Sequence, residues 1–424
     1  MIKTVNHYFL GLAVLCLFAC EKVDDGAFPE DRLIERKDFV LTRSDLDFIQ
    51  ANNGFAFELF KRVAAIEKGK STLISPLSVT IDFGVVNNGT AGETRDEINR
   101  VLGYKEGSVV GLNAFCQSML AQSAEADPTT TLNIANAAVV NSIHPPLKES
   151  FTKTVQSVYD EEIFYMEFGR DDVKGFINQW CSEKTNGMIP EFLDYQPHPV
   201  EYAHFLNAVY FKGIWSDKFD KKDTKKETFT REDGSRTSVR MMWQKDKFNL
   251  GGIRNVCTSL CLPYGNQAYR MILLLPYEGK SIEDVKDALN AETWNSMVKE
   301  MRGFDVDVKL PVFETTTNLL HLKGALREMG IRKAFDMDAA DFSALTDSAD
   351  YPFYIGDVLH KARIKVDETG SEAAAITDIS IITTGIHVGE PPVVEFHCDR
   401  PFLYVITEVS SGAIYFIGQY TGSE

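Results

Sequence analysis

The 424-residue sequence has few positive charges and no long apolar run. It contains 44 Lys and Arg against 61 Asp and Glu, which gives a formal net charge of −17. Because proteins bind nucleic acid mostly through Lys and Arg contacts to phosphate, this balance argues against polyanion binding. The apolar stretch at residues 9–19 is too short to span a bilayer, which needs about 20 residues. With 44% hydrophobic and 25% charged residues, the composition is that of a globular chain.

Cysteine is also scarce. Of the 7 Cys, two lie within the first 20 residues, and the odd number that remains cannot form a complete set of disulfide bonds. Cys257 and Cys261 occur in a run typical of a β-strand, which would separate them by roughly 13 Å and prevent a bond between them. No His stands at zinc-site spacing, so we expect small buried side chains and no metal site. The remaining cysteines are Cys116, Cys181, Cys257, Cys261 and Cys398.

The common sequence motifs of enzymes are missing. The chain has no Gly-x-Gly-x-x-Gly, no P-loop, no His-Glu-x-x-His and no Gly-x-Ser-x-Gly. Ser-x-x-Lys occurs at Ser150 with Lys153 and at Ser296 with Lys299, but neither is accompanied by Lys-Thr-Gly. We therefore expect no catalytic residue and no cofactor.

The N-terminus resembles a bacterial export signal. Lys3 precedes the apolar stretch, and the sequence LFAC that ends at Cys20 resembles the lipobox of bacterial lipoproteins. That resemblance implies acylation of Cys20, which would hold the protein at a membrane without spanning it. A cysteine that stands there by chance is the alternative.

The sequence EKVDD at residues 21–25 resembles the acidic signal that directs Bacteroidetes lipoproteins to the cell surface. We expect a lipoprotein signal peptide at residues 1–19 and an acidic tether at residues 20–43. The expected location is the bacterial cell envelope, as an outer-membrane lipoprotein that faces the surface or the extracellular side.

From residue 44 to residue 424 the pattern predicts a single α+β domain. Ser44 can cap a helix with apolar residues three or four apart, and a second helix is predicted for Val173–Lys184, ended by Asn186 and Gly187. Helices precede strands, and no Pro/Ser-rich joint divides the domain. The clearest strands are predicted at residues 271–275, 306–310, 403–406 and 414–417.

Residues 366–385 combine features of a strand and of a loop. In alternate positions this segment has small residues on one face and a second set, which contains Glu372, on the other. The acids therefore fall on one face only, as in a strand whose other face covers a core. Gly370 and the small residues after it also suit a mobile loop. A segment that changes between loop and strand would explain both features, and an ordinary edge strand or flexible loop is the alternative. The alternating small face is Ser371, Ala373, Ala375 and Thr377.

The sequence ETGSEAAA at residues 368–375 resembles the hinge of the reactive-centre loop of inhibitory serpins. Other serpin-like motifs stand in the family's order around it, and the resemblance covers about residues 45–421. The chain is identified as a member of this family. The motifs are SPLS at 75–78, NGTAGET at 88–94, WCSEKTNGMIP at 180–190, LNAVYFKGIW at 206–215, VLHKA at 358–362 and DRPFLYVI at 399–406.

The resemblance implies a serpin fold with about nine helices and three β-sheets, and an exposed reactive-centre loop at about residues 367–395. It implies a monomeric suicide inhibitor: a protease attacks the loop, and the cleaved loop enters the main sheet as a new strand and traps the acyl-enzyme. A non-inhibitory serpin that acts as a surface binding protein is the alternative. The hinge residues are Gly370, Ser371, Glu372, Ala373, Ala374, Ala375 and Thr377.

By family spacing the bond that the protease cleaves lies between Thr384 and Gly385, to within two or three residues. No Lys or Arg occurs between Lys365 and Arg400. A trypsin-like target, which needs a cation, is therefore disfavoured, and an elastase-like, subtilisin-like or papain-like protease is expected.

Four residues resemble the family's shutter, a buried polar network beneath the sheet opening. We expect a hydrogen-bonded gate and not a catalytic triad, although a Ser and a His are among them. Val312 stands where some relatives have a Lys that pairs with the acid before the loop, which predicts that Glu368 lacks that ion pair. The shutter residues are Ser75, Ser78, Asn207 and His360.

Overall fold

The computed structural model describes residues 35–105, 108–347, 353–371 and 393–422. One compact unit begins at Glu35. Residues 35–42, which sequence analysis assigned to the tether, belong to this unit: Phe39 is buried and its backbone N–H donates to Ser410 Oγ at 2.9 Å. Cys20 lies outside the described residues.

The described residues contain nine α-helices. None of them is long and apolar enough to cross a membrane. The helices are α1 (Arg43–Ile66), α2 (Pro76–Asn87), α3 (Gly92–Leu102), α4 (Val110–Ser123), α5 (Glu149–Tyr159), α6 (Val173–Lys184), α7 (Ile282–Ala288), α8 (Ala291–Glu300) and α9 (Lys323–Met329).

Local sequence explains where the two predicted helices begin and end. The cap of α1 is Thr42 and not Ser44, because Thr42 and Asp45 satisfy each other's backbone N–H groups in a capping box. Helix α6 has the predicted bounds, and Asn186 and Gly187 follow it with φ of 50° and 77°, the left-handed conformation that ends a helix.

The strands of the described residues form three sheets of nine, six and two strands. The predicted strands of the second half are all present, whereas β2, β3 and β4 lie between helices in the first half and were not predicted. The strands are β1 (Thr72–Ile74), β2 (Thr131–Asn141), β3 (Glu162–Met166), β4 (Ala203–Ile214), β5 (Lys225–Thr230), β6 (Arg236–Ile253), β7 (Cys257–Tyr264), β8 (Tyr269–Pro276), β9 (Arg302–Pro311), β10 (Phe313–Thr316), β11 (Leu320–His321), β12 (Leu359–His360), β13 (Arg363–Asp367), β14 (Gly370–Ser371), β15 (Val394–His397), β16 (Phe402–Glu408) and β17 (Ile414–Tyr420).

The nine-stranded sheet contains most of the C-terminal half. Its order is β1-β17-β16-β8-β7-β6-β9-β15, and β5 also pairs with β6. Strands β8, β16 and β17 are buried along almost their entire length, so their sequences are apolar runs without alternation. The buried side chains of this sheet belong to the main hydrophobic core.

The six-stranded sheet has the order β10-β13-β14-β4-β2-β3 and carries the candidate site. Both faces of β2 are covered, and alternate residues pack on opposite sides because successive side chains of a strand point to opposite sides of the sheet. Ala137 and Val139 pack with Ile177 of α6 in one hydrophobic cluster, while Ala138 and Val140 belong to the main core. Helix α2 contacts β4. The mixed α+β fold with nine helices and three sheets confirms the predicted fold class.

All five cysteines of the described residues are buried and free. The expectation of small buried side chains is confirmed, and burial raises the pKa of the Cys116 thiol to about 12.

Candidate functional site

The hinge begins as a tight turn between β13 and β14. The Asp367 side chain accepts hydrogen bonds from the backbone N–H of Thr369 at 2.9 Å and from its hydroxyl at 2.5 Å. Gly370 has φ of 150°, and a Cβ there would lie 2.1 Å from the carbonyl oxygen of Gly213. Only glycine can therefore let the chain turn back this close to β4.

Strand β14 lies between β13 and β4 and is antiparallel to both. Ser371 pairs with Val366 on one side and with Gly213 on the other. Its side chain is 1% exposed, and its hydroxyl lies 2.7 Å from the Tyr264 hydroxyl. The first small residue of the predicted hinge is thus already a member of the sheet.

Trp215 fixes the other side of the turn. Its indole N–H donates to the Asp367 carbonyl and its backbone N–H to the Thr369 carbonyl, both at 2.9 Å. The ring stacks on Tyr264 with centroids 4.4 Å apart and an interplanar angle of 11°. Two neighbouring strand ends and their aromatic rings thereby hold the turn in one position.

Glu368 has an ion pair that the sequence did not predict. Its carboxylate accepts from the Arg240 guanidinium at 2.6 Å and from the Thr224 hydroxyl at 2.9 Å, and its side chain is 3% exposed. Val312 donates its backbone N–H to the Arg240 carbonyl at 2.7 Å. Residue 312 is Val and forms no ion pair with Glu368, as expected, but Arg240 of β6 supplies a cation in its place.

Below the hinge, β4 and β13 face each other without a direct pairing among the described residues. Residues 203–212 of β4 pair with β2 on one edge, and the opposite edge is paired only at Gly213 and Ile214. Strand β13 pairs along one edge with β10, and on the other only at Val366 and Asp367. The two facing edges carry backbone groups that a further antiparallel strand could pair with.

The four shutter residues lie together beneath this part of the sheet. The Ser75 backbone N–H donates to His360 Nε2 at 3.1 Å, and the Ser75 hydroxyl accepts from the Ser78 backbone at 3.3 Å. Ser78 in turn donates its hydroxyl to Asn207 Oδ1. Burial lowers the pKa of His360 to about 4, so the ring is neutral at physiological pH.

Asn136 continues this network and was missed by sequence reasoning. Asn207 donates to Asn136 Oδ1 at 2.6 Å, and Asn136 donates to the Tyr159 carbonyl at 2.7 Å. The two asparagines face each other across β2 and β4. An Asn at the centre of an Ala- and Val-rich strand is the signal that could have found it, because a polar group there needs a buried partner.

The hydrogen bonds of this network do not have the geometry of a catalytic triad. His360 Nε2 accepts from a backbone N–H, so it is not placed to take a proton from the Ser75 hydroxyl. Within the described ranges, no group of three or more His, Cys, Asp or Glu side chains is arranged to hold a metal ion.

The predicted cleavage site and the later hinge residues lie outside the described residues. Of the predicted hinge, the structure describes Gly370 and Ser371. The remaining assignments are Thr384 and Gly385 for the cleaved bond, and Glu372, Ala373, Ala374, Ala375 and Thr377 for the hinge.

The family described as Serpin (serine protease inhibitor) matches residues 50–422. Iripin-8 from Ixodes ricinus is 32% identical over 381 residues, which are 87% of this chain and 92% of that protein. The human leukocyte elastase inhibitor is 30% identical, with 88% and 98% covered.

Among solved structures, the native state of the thermophilic serpin tengpin superposes with a TM-score of 0.80 and 28% identity, covering 91% of this chain and 96% of that one. Human thyroxine-binding globulin complexed with its hormone also gives a TM-score of 0.80, at 25% identity and with 90% and 100% covered. The family match, the relatives and the shared fold together show that the chain belongs to the serpin family.

Proposed function

We propose that this serpin is a suicide inhibitor of serine endopeptidases that traps its target by inserting the cleaved loop between β4 and β13. The observation that carries the proposal is the position of Gly370 and Ser371, which already pair with both strands while the edges below them face each other unpaired in the described residues. A strand that continues from Ser371 would meet backbone partners on both sides. Its attached protease would be drawn along the sheet.

We further propose that the target is elastase-like or subtilisin-like, or a papain-like cysteine protease. Thr384–Gly385 is the proposed bond, and the absence of Lys and Arg between residues 365 and 400 argues against a trypsin-like protease. Two of the relatives, from rat and human, are named leukocyte elastase inhibitors and are 30% identical. Their names support the preference for a protease that accepts small or apolar residues.

A non-inhibitory binding role is the second candidate. Human thyroxine-binding globulin shares the fold at a TM-score of 0.80, so the fold alone does not require inhibition. Ser371 and the alanines that follow it favour inhibition, because small side chains pass most easily between two strands.

Incubation with pancreatic elastase, subtilisin and papain, followed by denaturing gel electrophoresis, tests the proposal. We expect a detergent-stable complex with at least one protease, and mass spectrometry of the released peptide should place the cleavage between Ile381 and His387. Clean cleavage without a complex would support the binding role instead. Cleavage outside that interval would show that the proposed bond is wrong.

Ser371→Arg should convert the inhibitor into a substrate. Ser371 is already buried against Tyr264, so a long cation there would lose its water or push the hinge out from between β4 and β13, and the strand that follows could not enter. Ser371→Ala removes only the hydroxyl and is the matched control, for which we expect trapping close to that of the wild type. Trapping by Ser371→Arg at the wild-type level would contradict insertion at this point.

We also propose that Cys20 is acylated and anchors the protein in a bacterial envelope. The LFAC sequence supports this assignment. Cys20→Ala should abolish incorporation of radiolabelled palmitate and release the protein from the membrane fraction, and globomycin should cause the unprocessed form to accumulate. Unchanged membrane retention in Cys20→Ala would refute the anchor and leave the proposed inhibition unaffected.

A further inference from the structure

A cavity of about 510 Å³ lies at the opposite end of β4 from the hinge. It is lined by residues 203–206 at the start of β4, whereas the hinge pairs with Gly213 and Ile214. At about 3.3 Å per residue, roughly 30 Å of strand separate the two. Helix α2 and residues 353–359 form other walls. The cavity therefore lies away from the hinge, and none of the four shutter residues is in its lining.

The walls are rich in aromatic side chains and the size suits an organic ligand. Ligand cavities commonly measure roughly 300–1,000 Å³ and are lined by apolar and aromatic side chains with a few polar groups. Tyr202 and Phe353 pack with ring centroids 4.6 Å apart, and His144 packs on Tyr202 at 5.8 Å. The other aromatic residues of the lining are Phe83, Phe192, Tyr195, Phe205, Phe342 and Tyr354.

One carboxyl group in this lining has no partner among the residues that the structure describes. Asp82 projects from α2, and no described residue forms a hydrogen bond or ion pair with its side chain. The lining contains no Lys and no Arg. Burial raises the pKa of Asp82 well above its usual value, which is the expected response of a carboxyl group without a neighbouring cation.

The other two acids of the lining already have hydrogen-bond partners. Glu201 lies 2.7 Å from His204 and also accepts a backbone N–H from His198. Asp357 lies 2.7 Å from His321. Asp82 is therefore the acid among the described lining residues that is free to pair with a ligand cation.

We propose that this cavity binds an organic ammonium ion with an aromatic body, such as an arylalkylamine. Its N–H donors would bind Asp82 and its rings would pack among Tyr202, Phe205 and Phe353. An ammonium ion in this enclosed aromatic space would displace the proton of Asp82 and pair with the carboxylate directly, and the faces of the surrounding rings would also attract the cation. A neutral ligand of the same shape would fill the space but leave Asp82 without a charged partner.

Tryptamine and its neutral isostere tryptophol test the charge requirement on the unmodified full-length protein. The two probes differ only in an ammonium group against a hydroxyl. By isothermal titration calorimetry at pH 7 we expect tryptamine to bind at least tenfold more tightly than tryptophol. Equal affinities, or no binding of tryptamine at millimolar concentration, would overturn the proposal.

Asp82→Asn tests the residue, because it keeps the shape of the side chain and removes its charge. We expect tryptamine to bind at least tenfold more weakly to this variant and tryptophol to bind unchanged. Asp338→Asn removes one exposed acid elsewhere and should change neither affinity. Full tryptamine affinity in a folded Asp82→Asn protein would assign the binding to the apolar walls and refute the role of Asp82.

Discussion

Buried ionisable side chains beneath the six-stranded sheet have pKa shifts that change the stability of the protein in opposite directions as the pH falls. Burial lowers the pKa of His360 to about 4, so the folded protein disfavours its charged form. Burial also raises the pKa of Glu161 well above its usual value, with Asp82 and Glu162 adding to the shift, so the folded protein favours the protonated acid. As the pH falls, His360 therefore costs stability while Glu161 and Asp82 add to it.

His360→Gln should make the protein less sensitive to acid. An unfolded His takes up a proton below about pH 6.5, whereas His360 in the fold resists protonation until about pH 4, so stability is lost as the pH falls through this window. The loss reaches about 2 kcal/mol by pH 5. Gln can still accept the Ser75 N–H through its side-chain oxygen. Between pH 7.5 and pH 5.0, the Tm of the wild type should fall by about 2 °C more than the Tm of His360→Gln.

The exposed His198 provides the control for this measurement. His198→Gln should keep the wild-type dependence of Tm on pH, because it replaces an exposed imidazole and leaves the buried His360 in place. Glu161 and Asp82 are present in all three proteins, so their opposite contribution cancels in the comparison. Identical pH dependence of wild type and His360→Gln would contradict the buried neutral imidazole.

Among single residues, the sequence predicted the members of the buried network that stand within serpin-like motifs and missed the buried polar residues outside them. Ser75, Ser78, Asn207 and His360 stand in serpin-like motifs, and the structure brings them together. Glu161 belongs to no motif, and both of its carboxylate oxygens are buried without a hydrogen bond from the described residues. Its burial follows from the packing of β3 beside β2, which one sequence does not reveal.

Among the elements, the turn between β13 and β14 depends on a strand from a different sheet. Strand β6 runs through the nine-stranded sheet and brings Arg240 to Glu368 at 2.6 Å. The sequence showed the hinge motif, but the partner of Glu368 depends on the position of β6, which is set by its pairing with β5 and β9. The ion pair therefore follows from tertiary structure and not from local sequence.

Arg240→Ala should loosen the hinge. Glu368 would keep the Thr224 hydroxyl but lose its charged partner while remaining buried, which costs about 1–3 kcal/mol. The turn would then move more easily, and the native monomer should be lost faster at 45 °C, as latent or polymeric forms on native gels. We expect at least a threefold increase in that rate.

Lys226→Ala is the matched control for Arg240→Ala. Lys226 pairs with Arg240 across β5 and β6 and is exposed, so its replacement removes the same charge from the same surface without touching Glu368. We expect the wild-type rate of conversion. Equal rates for Arg240→Ala and the wild type would mean that the ion pair does not restrain the hinge.

For the whole molecule, the strand order shows where an additional strand would increase the stability of the fold. In the described residues, β4 and β13 are parallel to each other and joined only through Gly370 and Ser371. A strand that filled the remaining length would form on the order of ten backbone hydrogen bonds, at about 1 kcal/mol each. This gain is comparable to the stability of an entire domain, so the intact protein would be kinetically trapped above a more stable form.

Cleavage at the proposed bond should therefore raise the thermal stability of the protein. Roughly 10 kcal/mol of new backbone hydrogen bonding, divided by the entropy of unfolding of a chain of this size, gives an increase in Tm on the order of 10 °C or more. Differential scanning calorimetry of the intact and elastase-nicked protein measures it directly. Ser371→Arg, nicked in the same way, should show a much smaller increase, because its hinge resists entry between β4 and β13. A nicked wild type that melts at or below the temperature of the intact protein would show that the cleaved loop does not enter the sheet.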